Sequence, residues 1–162
     1  MMPVTLWKMP PIAKVYEAIG AIGDGRVRIE DARRALVTSS EGTKTYAVES
    51  SDDGREISSN DNASYWQGYL GYPAIAVMIA RGLIRRPDET VVHALAGVAW
   101  KELNTRYRND YDRTIEDVLT QAGARGNDAD TIRAAVAAVL DEVRALAPRQ
   151  GARKRPPRAV AK

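Results

Sequence analysis

The chain has 162 residues, 44% of them apolar and 28% charged, with no cysteine and a formal charge of +3. That length and balance point to one soluble globular domain with enough apolar material for a core, and the lack of cysteine excludes disulfides, thiolate zinc sites and a cysteine nucleophile. No apolar run approaches the roughly 20 residues a bilayer needs, and the N-terminal stretch has neither half of a signal peptide, so a cytoplasmic protein without a membrane partner is expected.

In chain order, Val4 to Trp7 reads as a short strand stopped by Pro10 and Pro11. Ile12, Val15, Tyr16 and Ile19 then follow helical spacing, with Gly20, Gly23 and Gly25 as the stop. Arg26 to Ile29 alternates as a strand with Val27 and Ile29 inward. Glu30 and Asp31 are expected to open a short helix carrying Ala32, Ala35 and Leu36 on its apolar side. Lys44–Asp52 and Arg55–Ser59 form a hairpin about a type I′ turn at Asp53-Gly54, which pairs Asp52 with Arg55 and puts Tyr46, Val48 and Ile57 on one face. Asn62 or Ser64 would cap a short helix bearing Tyr65, Trp66, Tyr69 and Leu70. Pro73 opens a helix apolar all round and therefore buried. Further helices are expected from Asp88 to about Tyr107, from Asp112 to Ala122 and, capped by Asp128 or Asp130, through the last apolar repeat. These elements make an α+β protein, a small antiparallel sheet of three to four short strands packed with several helices.

Asn60 to Arg86 is the least ordinary stretch. It holds Tyr65, Trp66, Tyr69 and Tyr72, followed by the most apolar run of the chain and then by Arg81, Arg85 and Arg86. The aromatic residues are three Trp and seven Tyr, with no Phe, and Trp and Tyr can sit half exposed where Phe serves burial alone. Rings with cations beside them suit single-stranded nucleic acid, because unpaired bases stack on aromatic faces whatever their identity. Tyr65, Trp66, Tyr69, with Tyr46 and Tyr107, are the expected stacking residues; Arg81, Arg85, Arg86, Arg106 and Arg108 are the expected phosphate contacts. The same rings could instead cap a small core with their polar ends in water.

Ile132, Val136, Val139, Val143 and Leu146 are spaced four, three, four and three apart, the seam of a coiled coil. They are either a dimerisation face or a face packed on the domain's own body. Residues 148–162 carry Arg149, Arg153, Lys154, Arg155, Arg158 and Lys162 and no acid, so the remaining body has three more acidic than basic residues. The high isoelectric point belongs to this tail, which is expected to be disordered. The chain divides into a body over 1–122, a linker and C-terminal helix over 123–147, and the tail over 148–162.

Catalytic patterns are absent. His93 is the single histidine, no Gly-rich dinucleotide or phosphate loop follows a strand, and no nucleophile elbow occurs. The pairs Asp52/Asp53, Asp110/Asp112 and Asp128/Asp130 fall at turns and caps, where Asp is expected anyway. No enzyme, metal or cofactor is expected. A winged helix lacks its recognition helix, because the chain passes from Val37 through a short loop into a strand. Gly123 to Gly126 has the G-x-x-G form of a KH loop but reads as a linker.

With the aromatic cluster at 65–73, the mixed body and the seam helix in view, the chain resembles the ThermoDBP family of archaeal single-stranded DNA-binding proteins. The resemblance is one of organisation over residues 4–146. It implies a small sheet with helices, an aromatic cleft supplied by 65–73, part of a basic rim from Arg81, Arg85 and Arg86, a zipper-like dimer through Ile132 to Leu146, and a hot-living archaeal source. The expected function is therefore sequence-independent binding of single-stranded DNA or RNA by a homodimer. The alternative is a protein-interaction module whose basic tail alone touches nucleic acid.

Overall fold

The computed structural model describes residues 4–158. Pro11 precedes α1 (Ile12–Gly23), and Val15, Tyr16, Ile19 and their small neighbours bury one side of it. The helix runs through Gly20 and stops at Gly23. Both are needed as close-packing points: a Cβ on Gly20 would fall 2.6 Å from the indole nitrogen of Trp100, and one on Gly23 would fall 2.7 Å from the Val92 carbonyl. Asp24 is its C-cap, and Gly25 takes a positive φ of 67°.

Four strands follow: β1 (Val27–Ile29), β2 (Arg34–Thr38), β3 (Thr45–Ser50) and β4 (Glu56–Ser59). They pair antiparallel in sequence order, and β5 (Arg149–Gln150) joins β4 in parallel. The sheet thus has five strands and is mixed, not a purely antiparallel set of three or four. The expected helix after Glu30 is replaced by β2. Asp31 Oδ1 accepts the backbone N–H groups of Arg33 and Arg34, each at 2.8 Å, so the acid that resembled a helix start makes the turn of a hairpin. Ile29 is exposed rather than inward, while Val27 packs against the core.

The β3–β4 hairpin has the expected register: Ser50 lies opposite Ile57, and Tyr46, Val48 and Ile57 are buried together. Its turn differs. Only Gly54 takes positive φ, at 73°; the Gly54 N–H closes on the Ser51 carbonyl at 2.9 Å, and Asp53 Oδ1 accepts from Ser51 Oγ and the Arg55 N–H. A type I′ turn needs both central residues at positive φ, and Asp53 does not comply.

A π-helical turn (Ala63–Gln67) leads to α2 (Tyr72–Ala80), whose residues Pro73 to Ile79 are all buried. This helix touches β1 through β4 on one side and α1 on the other. Its uniform apolarity follows from that central position. The stretch expected as one helix from Asp88 divides into α3 (Glu89–Ala94) and α4 (Trp100–Arg106). The break falls at Gly97, which has φ 75° and donates its N–H to Asp24 Oδ1 at 2.6 Å. His93 is exposed and Trp100 buried, so they do not share a face. Asp110, through the Arg113 N–H, caps α5 (Tyr111–Ala124); Asp128, through the Asp130 N–H, caps α6 (Ala129–Leu146).

The seam of α6 is spent inside the chain. Ile132, Val136, Val139 and Val143 are buried in the common core, with Leu146 packed against it, and α6 contacts α1, α3 and α5. These five residues are therefore not a free dimerisation face, and α6 is not a helix detached by its linker. No helix among the described residues is long and apolar enough to cross a membrane.

The tail is bound where it begins. The Trp7 N–H donates to the Pro148 carbonyl, and its indole N–H donates to the Ile57 carbonyl at 2.9 Å. Leu6 bridges to Arg149, so β5 lies between the N-terminal segment and β4. Arg149 reaches Asp53 at 3.2 Å and Lys154 reaches Glu49 at 2.8 Å. Residues 151–158 have no regular secondary structure; Lys162 lies outside the described residues.

Candidate functional site

The aromatic turn is built on Asp61. This side chain is 4% exposed. It accepts from Ser59 Oγ at 2.5 Å, Ser64 Oγ at 2.7 Å and the Ser64 N–H at 3.1 Å. A buried carboxylate is costly unless it is hydrogen-bonded, and these three donors offset that cost. Asp61 thus does the work expected of Asn62 or Ser64, and the Asn62 side chain makes no capping hydrogen bond. The carboxylate fills the space beside Gly71, where any Cβ would overlap it.

The turn pushes Trp66 into solvent. The ring is 68% exposed. Tyr65 meets it edge-on, with centroids 4.6 Å apart at 89°. Tyr69 is half-buried beyond Gly68, and burial, partly offset by the Lys14 charge, raises its pKa. Gly68 takes φ 77°, and a Cβ there would sit 2.7 Å from a guanidinium nitrogen at the far end of the Arg153 side chain and 3.8 Å from Lys8 Cε. Arg153 also donates to the Tyr65 carbonyl at 3.3 Å, and the Lys8 N–H donates to the Gly68 carbonyl at 3.0 Å. Two cations from opposite ends of the chain therefore converge on Gly68, two residues beyond Trp66. Among the described residues neither forms a salt bridge. π-Helical turns recur at functional sites because they re-aim side chains that a regular helix would align.

The expected basic rim lies elsewhere. Arg81, Arg85 and Arg86 follow α2, a helix about 13 Å long at 1.5 Å per residue, whereas the aromatic turn precedes it. Arg81 donates to the Asp31 carbonyl at 2.9 Å, and Arg86 pairs with Glu89 at 2.6 Å. The backbone N–H of Arg85 donates to Glu142. Arg106, Tyr107 and Arg108 form a third place, at the α4–α5 turn. There Arg106 pairs with Glu102 and Asp117, and the Tyr107 hydroxyl donates to Asp117 at 2.6 Å. That hydrogen bond holds the Tyr107 pKa above its usual value. Arg108 is exposed in a left-handed conformation. Carboxylates pair with the guanidinium groups of Arg86 and Arg106, and a backbone carbonyl holds that of Arg81. Tyr46 is only 8% exposed, so it is not part of an open stacking face either.

Tyr46 instead lines a cavity of about 310 Å³ that sequence reasoning missed. Its inner residues include Glu17, Asp61, Tyr46, Tyr72, Asn104 and Trp100. Tyr46 and Tyr72 meet edge-on, 6.2 Å between centroids. Glu17, 5% exposed, accepts from Asn104 Nδ2 at 2.8 Å and lies 3.2 Å from Lys14 Nζ, the latter an ion pair without hydrogen-bond alignment. Lys14 also stands 5.0 Å above the Tyr111 ring. Burial works to lower the Lys14 pKa, but Glu17 and Tyr111 outweigh it and the net shift is upward. The walls come from α1, the β2–β3 loop, the aromatic turn and the α4–α5 region. Such scattered contributions leave little trace in sequence. The available signal was the Lys14–Glu17 pair, two charges on a helix otherwise buried along most of its length.

No curated protein and no solved structure matches the chain. Residues 7–149 match the family described as uncharacterised conserved protein UCP014422, and the chain belongs to that family.

Proposed function

We propose that the protein binds single-stranded nucleic acid without sequence preference, on the turn from Ala63 to Gly68. Trp66 stacks on a base, Tyr65 braces it, and Lys8 and Arg153 meet the flanking phosphates. The observation that carries this reading is the exposed Trp66 ring on a turn that ends at Gly68, where two cations meet that no carboxylate of the described residues neutralises. It keeps the stacking role of Tyr65, Trp66 and Tyr69 but draws its cations from the N-terminal segment and the tail. The arginines after α2 stand at the other end of that helix from the turn, and Arg81 and Arg86 are held there by the Asp31 carbonyl and by Glu89.

An exposed indole costs hydration free energy unless something covers it, and a base stacked on it contributes roughly 1–3 kcal/mol. Trp66→Ala should therefore weaken binding of an oligothymidylate by about fivefold to a hundredfold. The loss should be similar on oligoadenylate, since stacking does not read base identity. Tryptophan emission of the wild type should be quenched as the strand binds. A Trp66→Ala protein with an unchanged melting temperature and unchanged affinity sinks the reading.

A further inference from the structure

We propose that the cavity beneath the aromatic turn is a second site, one that takes a single nucleotide. The base enters between Tyr46, Tyr72 and Tyr111, and the phosphate stays at the exposed end with Lys44 and Lys101.

Size sets the first limit. At about 310 Å³ the space is at the lower end of ligand pockets, which suits a base with its sugar better than a peptide or a strand. The lining sets the second. Four aromatic residues border the space together with Asn62, Asn104 and Thr105, the combination that holds a flat, hydrogen-bonding ring system. Asn104 is held in place because its amide donates to Glu17, which is itself fixed by Lys14. The third limit is the gradient of charge. Inside, Glu17 is matched by Lys14, Asp61 by its serines, and Arg26 by Asp24 at 3.0 Å and by the Thr38 carbonyl at 2.7 Å. Toward solvent stand Lys44 and Lys101, neither of which forms a salt bridge among the described residues. Glu41 is also there, accepting from Thr43 Oγ1 at 2.9 Å. A ligand with a neutral aromatic body and an anionic end matches that order; a wholly anionic or wholly apolar one does not.

The nucleotide has two possible sources, a free nucleoside monophosphate or one residue of a longer strand turned out of its stack. Asn62 and Ala63 border the cavity and belong to the turn that carries Trp66, so a strand lying on the turn has access to the cavity. The inference does not rest on stacking by Trp66, and the test keeps the two apart.

The experiment uses the full chain with Trp66→Phe, which leaves Trp100 in the cavity wall as reporter beside the distant Trp7. The four ribonucleoside 5′-monophosphates are titrated by fluorescence and calorimetry. The matching nucleosides, inorganic phosphate and an oligothymidylate are titrated alongside. At least one monophosphate should bind, more tightly than its nucleoside and far more tightly than phosphate. Lys44→Gln with Lys101→Gln, a change at the surface, should weaken that monophosphate about tenfold or more and leave the nucleoside unaffected. Competition by the monophosphate against the oligonucleotide identifies the strand as a source; independent binding identifies the free nucleotide, and both support the site. No binding of any monophosphate at millimolar concentration overturns the proposal. So does phosphate binding as well as the nucleotide, or a double variant that binds as before.

Discussion

Tyr46 and Tyr72 make the interior of the fold sensitive to alkali. Burial, with Asp61 and Glu41 adding to it, pushes the Tyr46 pKa from 10.0 up to about 12. Burial, followed by the Tyr46 neighbour, raises Tyr72 as well. A group that keeps its proton longer when folded contributes stability that is complete below the unfolded pKa and lost as pH rises through the folded one. Stability should therefore hold up to about pH 10 and decline toward about pH 12. Lys14, also raised, adds to the decline with the same sign. Tyr46→Phe keeps the ring and removes the titration, so denaturant midpoints measured across that range should fall less steeply than in the wild type. Equal slopes would show that the Tyr46 hydroxyl is not the group responsible. Gly68 is a second single-residue control. Gly68→Ala forces a left-handed alanine, at about 1–2 kcal/mol, and displaces Arg153. It should lower both the melting temperature and the affinity for single strands. Unaltered affinity would remove Arg153 from the proposed interface.

At the scale of elements, the hairpin of β3 and β4 was legible because alternation over Tyr46, Val48 and Ile57 is strict and the register follows from the turn. The stretch from Glu30 to Val37 was not. Its acids mimic a helix start, and what makes β2 a strand is pairing with β1 and with β3, which no local pattern announces. Gly20 misled for a related reason: it marks where Trp100 approaches α1, and a sequence window cannot tell close approach from termination. The seam of α6 was read correctly as an apolar face, but the period says nothing about which partner covers it. Here the chain itself does. Val136 is fully buried, so Val136→Ala should cost about 2 kcal/mol, two methylene equivalents plus a small cavity. Urea unfolding should show this loss with a midpoint independent of protein concentration. A midpoint that climbs with concentration would mean that the seam is shared between chains.

On the scale of the whole molecule, charge is separated and then partly brought back together. The body is acidic and the tail basic, and the structure uses part of that contrast to hold β5 and the tail onto the sheet through Arg149–Asp53 and Lys154–Glu49. Exposed pairs of this kind contribute little each, so the backbone bonds of β5 and the seating of Trp7 must carry more of the attachment. What is left over is Arg153, Arg155 and Arg158, which form no salt bridge among the described residues and begin at Gly68. Arg153 reaches Gly68 and the Tyr65 carbonyl, so in the proposed function the tail belongs to the interface. Removing the tail would also remove β5 and confuse the two roles, so the sharper test is Arg153→Gln with Arg155→Gln and Arg158→Gln in the full chain. Each phosphate contact to a single strand contributes about 0.7 to the slope of log affinity against log salt. The triple variant should therefore lose about two from the slope measured for the wild type on oligothymidylate, with its melting temperature preserved. A slope that does not change would place the phosphates somewhere other than the tail, and the convergence of Lys8 and Arg153 on Gly68 would then serve only to fasten the two ends of the chain together.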